Sequence, residues 1–265
     1  MQTTTLTTTN NKKGISSNVL KIIGIITMFM DHLYEFFHAM GAPIFLRMVG
    51  RITLPIFLFT CAEGFHYTHN RAKYLARLLI GFWAMGLINQ LLPKVLYLEG
   101  MELINNVFGT MAASVMVMWT IDLMIQGLKR KKMGHFFLGL GLLLTYVVLS
   151  VGSLFLLMKM PMVVVRISQI IPLFTIVEGG VTAVLLTLAF YLLRKNRLLQ
   201  VVALLVFSLP AILHGDIQGF MALAALPILF YNGKKGGNFG GRYFFYFFYP
   251  IHIYVLYSIA VILLK

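Results

Sequence analysis

"ITMFMDHLYEFFHAMG", residues 26–41, carries an aspartate, a glutamate and two histidines inside an otherwise apolar run. That run starts near Val19. Some twenty residues at about 1.5 Å each cross the ~30 Å of hydrocarbon in a bilayer. A charge at the centre of such a helix costs about 2.5–3.5 kcal/mol on insertion scales. A membrane helix bearing these groups must turn them away from lipid, towards a bundle or a wet cavity. The fold therefore depends on whether the rest of the chain supplies that bundle.

Composition says that it does. The 265 residues are 59% hydrophobic and 11% charged, with a mean hydropathy of +0.86, whereas soluble domains are nearer a quarter charged. Apolar stretches follow one another at 19–40, 44–64, 74–92, 103–127, 135–158, 174–193, 198–213, 217–232 and 243–264. The expected fold is all-α, a polytopic transmembrane helical bundle of about nine spans (eight to ten), one domain over 19–265. Residues 1–18, polar and rich in Thr and Asn, read as a disordered cytoplasmic tail. No small-residue cleavage site follows the first apolar run, so that run is expected to stay as the first helix. Segment 159–174, with prolines at 161 and 172, reads as a re-entrant or surface segment as readily as a crossing. The short stretches around "LHGDIQG" (213–219) read equally as a dipping hairpin.

The net charge of +14 sits in alternate connections. Lys12, Lys13 and Lys21 precede the first span, and Arg71, Lys73 and Arg77 follow the second. "KRKK" (129–132), "RKNR" (194–197), and Lys234, Lys235 and Arg242 continue the series. This is the positive-inside pattern of a multi-pass protein of the inner, cytoplasmic membrane, with its N-terminus in the cytoplasm and its C-terminus outside. The lipid bilayer is its first partner. No basic patch interleaved with aromatics points to nucleic acid. The one cysteine, Cys61, allows neither an internal disulfide nor a multi-cysteine metal site, and no span carries a metal-binding histidine spacing.

Thr27, Asp31, Glu35 and His38 fall on one face of the first span, with His32 beside it, and Arg47 and Arg51 share a face of the second. Counted from Lys21, Asp31 and His32 lie about 15 Å up, near the midplane; counted from Arg242, His252 in "FYPIHIYVLY" lies at similar depth. One reading is a structural ion pair between Asp31 or Glu35 and Arg51. The other is chemistry, because a histidine flanked by carboxylates exchanges protons near neutral pH. At the cytoplasmic end, "EGFHYTHNRAKYLARLL" (63–79) gathers Glu63, His66, Arg71, Lys73 and Arg77, a group able to hold a phosphorylated ligand by charge-assisted hydrogen bonds.

Three stretches, "LKIIGIITMFMDHLYEFF" (20–37), "GRITLPIFLFTCAEGFHYTHNRAKYLARLL" (50–79) and "YNGKKGG…RYFFYFFYPIHIYVLY" (231–257), resemble the TraX family, named for a conjugation protein implicated in N-terminal acetylation of pilin. That family is in turn distantly similar to membrane acyltransferases that use cytoplasmic acetyl-CoA. The resemblance implies an N- or O-acetyltransferase acting on a pilin-like peptide, a glycan or a lipid. His32 would be the acid/base or the transient acetyl carrier, with Asp31 holding its tautomer and Arg51 or Asn105 stabilising the oxyanion. Arg71, Lys73 and Arg77, with Glu63 and His66, would hold the phosphates of acetyl-CoA. Arg47, Glu35, Asn105, Asn106 and His252 would face the acceptor, with His214 near the outer opening. The rival reading is a proton-coupled transporter or channel built on Asp31, His32 and Glu35.

Overall fold

The computed structural model describes residues 14–237 and 244–265. Most of the expected polar tail, and Arg242 at the expected inner start of the last span, lie outside the described residues. The helices are α1 (Ser17–Phe37), α2 (Phe45–Gly50), α3 (Thr53–Tyr67), α4 (Arg71–Val95), α5 (Val107–Lys129), α6 (Met133–Lys159), α7 (Pro161–Ile170), α8 (Gly180–Leu192), α9 (Arg197–Leu213), α10 (Ala225–Leu229) and α11 (Phe244–Leu264). Short 3-10 helices cover His38–Met40 and Ile217–Ala224. The fold is all-α.

Local chemistry sets the helix starts. The Ser16 hydroxyl accepts from the Val19 N–H, Asn70 from Lys73, and Asn196 from Leu198 and Leu199, each satisfying amides that have no partner in the first turn. Gly41, at φ 89°, ends the turn after α1 in a conformation that other residues resist. Residues 14–18 are not loose. Ile15 bridges Tyr231, and Ser17 and Asn18 donate their amides to the carbonyls of Lys234 and Lys235. The loop after α10 therefore grips the start of α1.

Among the described residues, five helical stretches are long and apolar enough to cross a membrane: Phe45–Tyr67, Arg71–Val95, Val107–Lys129, Met133–Lys159 and Phe244–Leu264. α1 has comparable length but carries Lys21, Asp31 and Glu35. It packs against α2, α3 and α11, which is where a charged helix has to be. The outward faces of α6 and α9 expose Leu144, Val148, Phe155, Val202 and Leu209, a surface suited to lipid. At the centre α5 touches α3, α4, α6 and α8. Gly81 on α4 receives the ring of Phe108, and Gly109 on α5 receives that of Phe82, so the two backbones approach closely.

Two expected spans take another form. Over 174–193 only Gly180–Leu192 is helical, and residues 171–179 run as turns and irregular chain that closes one side of a cavity. Over 217–232 the chain forms a 3-10 helix and the five-residue α10. Pro250 does not interrupt α11, which continues to Leu264.

Candidate functional site

The polar face of α1 looks into a cavity of about 950 Å³ walled by α1, α2, α3, α8, α9 and the Ile217–Ala224 segment. Asp31, His32, Glu35, Arg47, Arg51 and Asn105 all line it. A turn of helix apart on α1, Asp31 and Glu35 face different partners.

Asp31 takes the ion pair. Arg51 Nη2 donates to its two carboxylate oxygens at 2.5 and 2.6 Å, and Arg51 Nη1 donates to Gln218 Oε1 at 3.1 Å. The approach of α1 to α2 depends on Gly50, where a Cβ would collide with the Asp31 side chain. The expectation that Asp31 holds the tautomer of His32 is therefore corrected: its carboxylate is bound to Arg51, and other groups surround the imidazole.

Those groups form a chain. His252 Nδ1 lies 2.8 Å from the Phe248 carbonyl, which can only accept, so Nδ1 carries the proton. With both rings neutral, His252 Nε2 is then the acceptor for His32 Nδ1, 2.7 Å away. That fixes the proton of His32 on Nδ1 and leaves a lone pair on Nε2. Around Nε2 stand Asn105 Nδ2 at 3.5 Å and Glu35 Oε2 at 3.8 Å, and Asn105 donates to Glu35 at 3.0 Å. Both histidines are buried, His32 only 4% exposed. The Arg51 Nε and Asn105 Oδ1 atoms are buried without a partner among the described residues. An unmet buried polar atom costs about 1–3 kcal/mol, so two of them beside one cavity mark a place built to meet a ligand.

Other expected residues sit elsewhere. Arg47 stacks on Tyr34, 5.5 Å from the ring centre, on the cavity wall. Asn106 does not line the cavity; its amide donates to the Phe82 carbonyl at 2.9 Å. The group expected at the cytoplasmic end is divided. Arg71 pairs with Asp122 and stacks on Phe65, Lys73 is exposed, and Arg77 lies over Tyr74. Glu63 and His66 instead share a second, smaller pocket with Arg194 and Arg197.

The sequence reading missed Glu178, Gln218 and Tyr249, all on the cavity wall. Glu178 lies in the irregular segment that reads as the start of a span, and Gln218 at the start of the 217–232 stretch, which reads as a span or a dipping hairpin. Tyr249, whose hydroxyl accepts from the Val107 N–H at 3.0 Å, is hidden in an aromatic run that reads as interfacial anchoring. The only local signal was Glu178, the single acid in an apolar run.

The family described as "TraX protein" matches residues 16–260. The chain belongs to the TraX family. The TraX match extends over every helix that lines the cavity. A relative from Dichelobacter nodosus, "Probable fimbrial assembly protein FimC, serogroup H1", is 32% identical over 258 residues, covering 90% of this chain and 93% of its own length. No solved structure matches.

Proposed function

We propose that this chain is an integral-membrane acetyltransferase that moves an acetyl group onto an acceptor amine or hydroxyl within the cavity. The acceptor we favour is a pilin-like peptide, since the TraX family is associated with pilin and a relative is named for fimbrial assembly. One observation carries the reading: His32 presents an unprotonated Nε2 to the cavity because His252 holds the proton on the other nitrogen. A scaffold histidine needs no such relay.

Acetyl-CoA supplies the acetyl group as a thioester. His32 Nε2 takes the proton from the acceptor as its nitrogen or oxygen lone pair attacks the thioester carbonyl. Glu35 stands close enough to stabilise the imidazolium that results. Arg51 Nε, buried without a partner on the cavity wall, is the available donor for the oxyanion. When the carbon–sulfur bond breaks, the imidazolium returns its proton to the leaving thiolate.

The test is labelled acetyl transfer by purified protein. His32→Ala should lower the rate by about 10²–10⁴-fold while leaving CoA binding near wild type, although loss of the bond to His252 lowers the melting temperature. Transfer that survives this substitution would remove His32 from the reaction.

A further inference from the structure

The turn between α8 and α9 carries Arg194, Lys195 and Arg197, and it meets the end of α3. With Glu63, His66, Tyr67 and Gly233 these residues line a pocket of about 250 Å³. Its two arginines are held in place. The Arg197 guanidinium lies 4.8 Å from the Phe59 ring centre and 4.7 Å from that of Tyr231, and its Nη1 donates to Gln200 Oε1 at 2.6 Å. Arg194 lies 4.8 Å from the Tyr191 ring centre and donates to the Tyr191 carbonyl at 3.1 Å. Stacking occupies the faces of a guanidinium and leaves its edge donors for an anion. Among the described residues, the three ion pairs involve neither arginine nor Lys195. Glu63 is the one carboxylate in the lining, against three cations. Charge that only fixes topology can sit on loose, exposed side chains, as Lys129–Lys132 do. Arginines stacked around a concavity keep edge donors for a ligand.

We propose that this pocket binds the phosphate groups of a ligand, and that Arg194, Lys195 and Arg197, rather than Arg71, Lys73 and Arg77, hold the nucleotide end of an acyl-CoA. Assigning the phosphate to an acyl-CoA rests on the transferase reading; the phosphate chemistry does not. Tyr231 on the pocket's edge pairs with Ile15, and His32 lies fifteen residues into α1 from Ser17, about 22 Å along the helix axis. Phe59 and Phe190, both fully buried and edge-to-face at 5.5 Å, form the layer between this pocket and the cavity, which begins at Leu58 and Leu186. The acyl arm must pass where these two rings meet.

The experiment measures Kd for CoA, for pantetheine and for inorganic pyrophosphate with purified protein in neutral detergent. Protein in nanodiscs of phosphatidylcholine, with or without phosphatidylglycerol, forms a second arm. Lys195→Glu, an exposed change that spares the fold, and Arg194→Gln/Arg197→Gln should each raise the Kd for CoA and pyrophosphate at least tenfold and leave pantetheine within threefold. Lys129→Gln/Arg130→Gln/Lys132→Gln should stay within threefold for all three. CoA affinity unchanged in both pocket variants would overturn the site. If the variants lose only the melting-temperature gain given by phosphatidylglycerol, the phosphate is a lipid headgroup and the acyl-CoA assignment falls. Acetyl transfer is followed in parallel: wild-type protein that binds CoA through this pocket but transfers nothing refutes the transferase and leaves the pocket standing.

Discussion

His32 Nδ1 and His252 Nε2 lie 2.7 Å apart although 220 residues separate them in the chain. The bond joins the first helix to the last across the buried side of the cavity. It also decides which nitrogen of His32 is left facing the cavity, because His252 is itself pinned by the Phe248 carbonyl.

That makes His252 a positioning residue with its own signature. His252→Gln keeps a side-chain oxygen able to accept from His32 Nδ1, whereas His252→Phe offers none. The Phe variant should lose roughly 10²-fold in kcat with little change in KM, and the Gln variant should recover much of that loss. Equal losses in both, or a change confined to KM, would mean that His252 only fills space or contacts the acceptor.

Asp31 and Arg51 behave as scaffold in their own right. Both side chains are about one-fifth exposed, at 19% and 21%, so Asp31→Asn should cost somewhat less than the ~3–5 kcal/mol of breaking a fully buried pair. Asp31→Asn/Arg51→Gln should regain part of that stability, since no charge is then stranded. Melting curves in detergent give the comparison. A double variant less stable than Asp31→Asn alone would contradict the pairing.

How much of this was legible in the sequence follows from what each signal measures. Hydropathy and the 3.6-residue period placed the long helices and put Asp31 and Glu35 on one inward face, because burial of such groups has few solutions. They could not say which carboxylate pairs with Arg51. Asp31 and Glu35 are one turn apart on the same helix, and the choice was made by Gly50, which admits Asp31 to the backbone of α2. Nor could composition tell a nine-residue irregular segment, 171–179, from the start of a span, since buried irregular chain is as apolar as helix. The arginines expected at the cytoplasmic end were misgrouped for a related reason. Neighbours in sequence look like neighbours in space, but Asp122 on α5 takes Arg71, while α9 brings Arg197 to Glu63.

Gly50 offers the sharpest steric test. Its missing Cβ would fall against the Asp31 carboxylate, with no flexible tip to give way. Gly50→Ala should therefore displace Asp31 from Arg51 and lower stability by about 1–3 kcal/mol, as overpacking does. Gly86→Ala on α4, where a Cβ meets nothing within 4 Å, is the control and should be neutral or slightly stabilising. Matched melting temperatures for the two variants would show that α1 and α2 have room to spare.

Arg71 gives the opposite kind of test. Its partner Asp122 also accepts from Gln126 and, at 2.9 Å, from the Tyr191 hydroxyl, so the arginine completes a network joining α4, α5 and α8. Arg71→Gln should lower the melting temperature, while CoA binding stays within about threefold of wild type, less than half a decade or ~0.7 kcal/mol. A tenfold loss of CoA affinity at unchanged stability would return the phosphate site to the α3–α4 loop.

Topology can be predicted from contacts as well as from charge. Ile15 pairs with Tyr231, Arg197 stacks on Tyr231, and Lys21 lies 5.1 Å from the Phe245 ring centre. The starts of α1, α9 and α11 therefore share one end of the bundle. The Arg71–Asp122 pair brings the later part of α5, and with it Lys129–Lys132, to that same end. The 21 residues of α11 rise about 31 Å from there, enough to carry Lys265 to the other face. The charge rule predicts that the basic end lies in the cytoplasm. A reporter fused after Lys132 should read cytoplasmic, and one fused after Lys265 should read external. If both report the same side, the chain weaves once more or once less than these contacts require, and either residues 161–179 or the Ile217–Leu229 hairpin crosses differently.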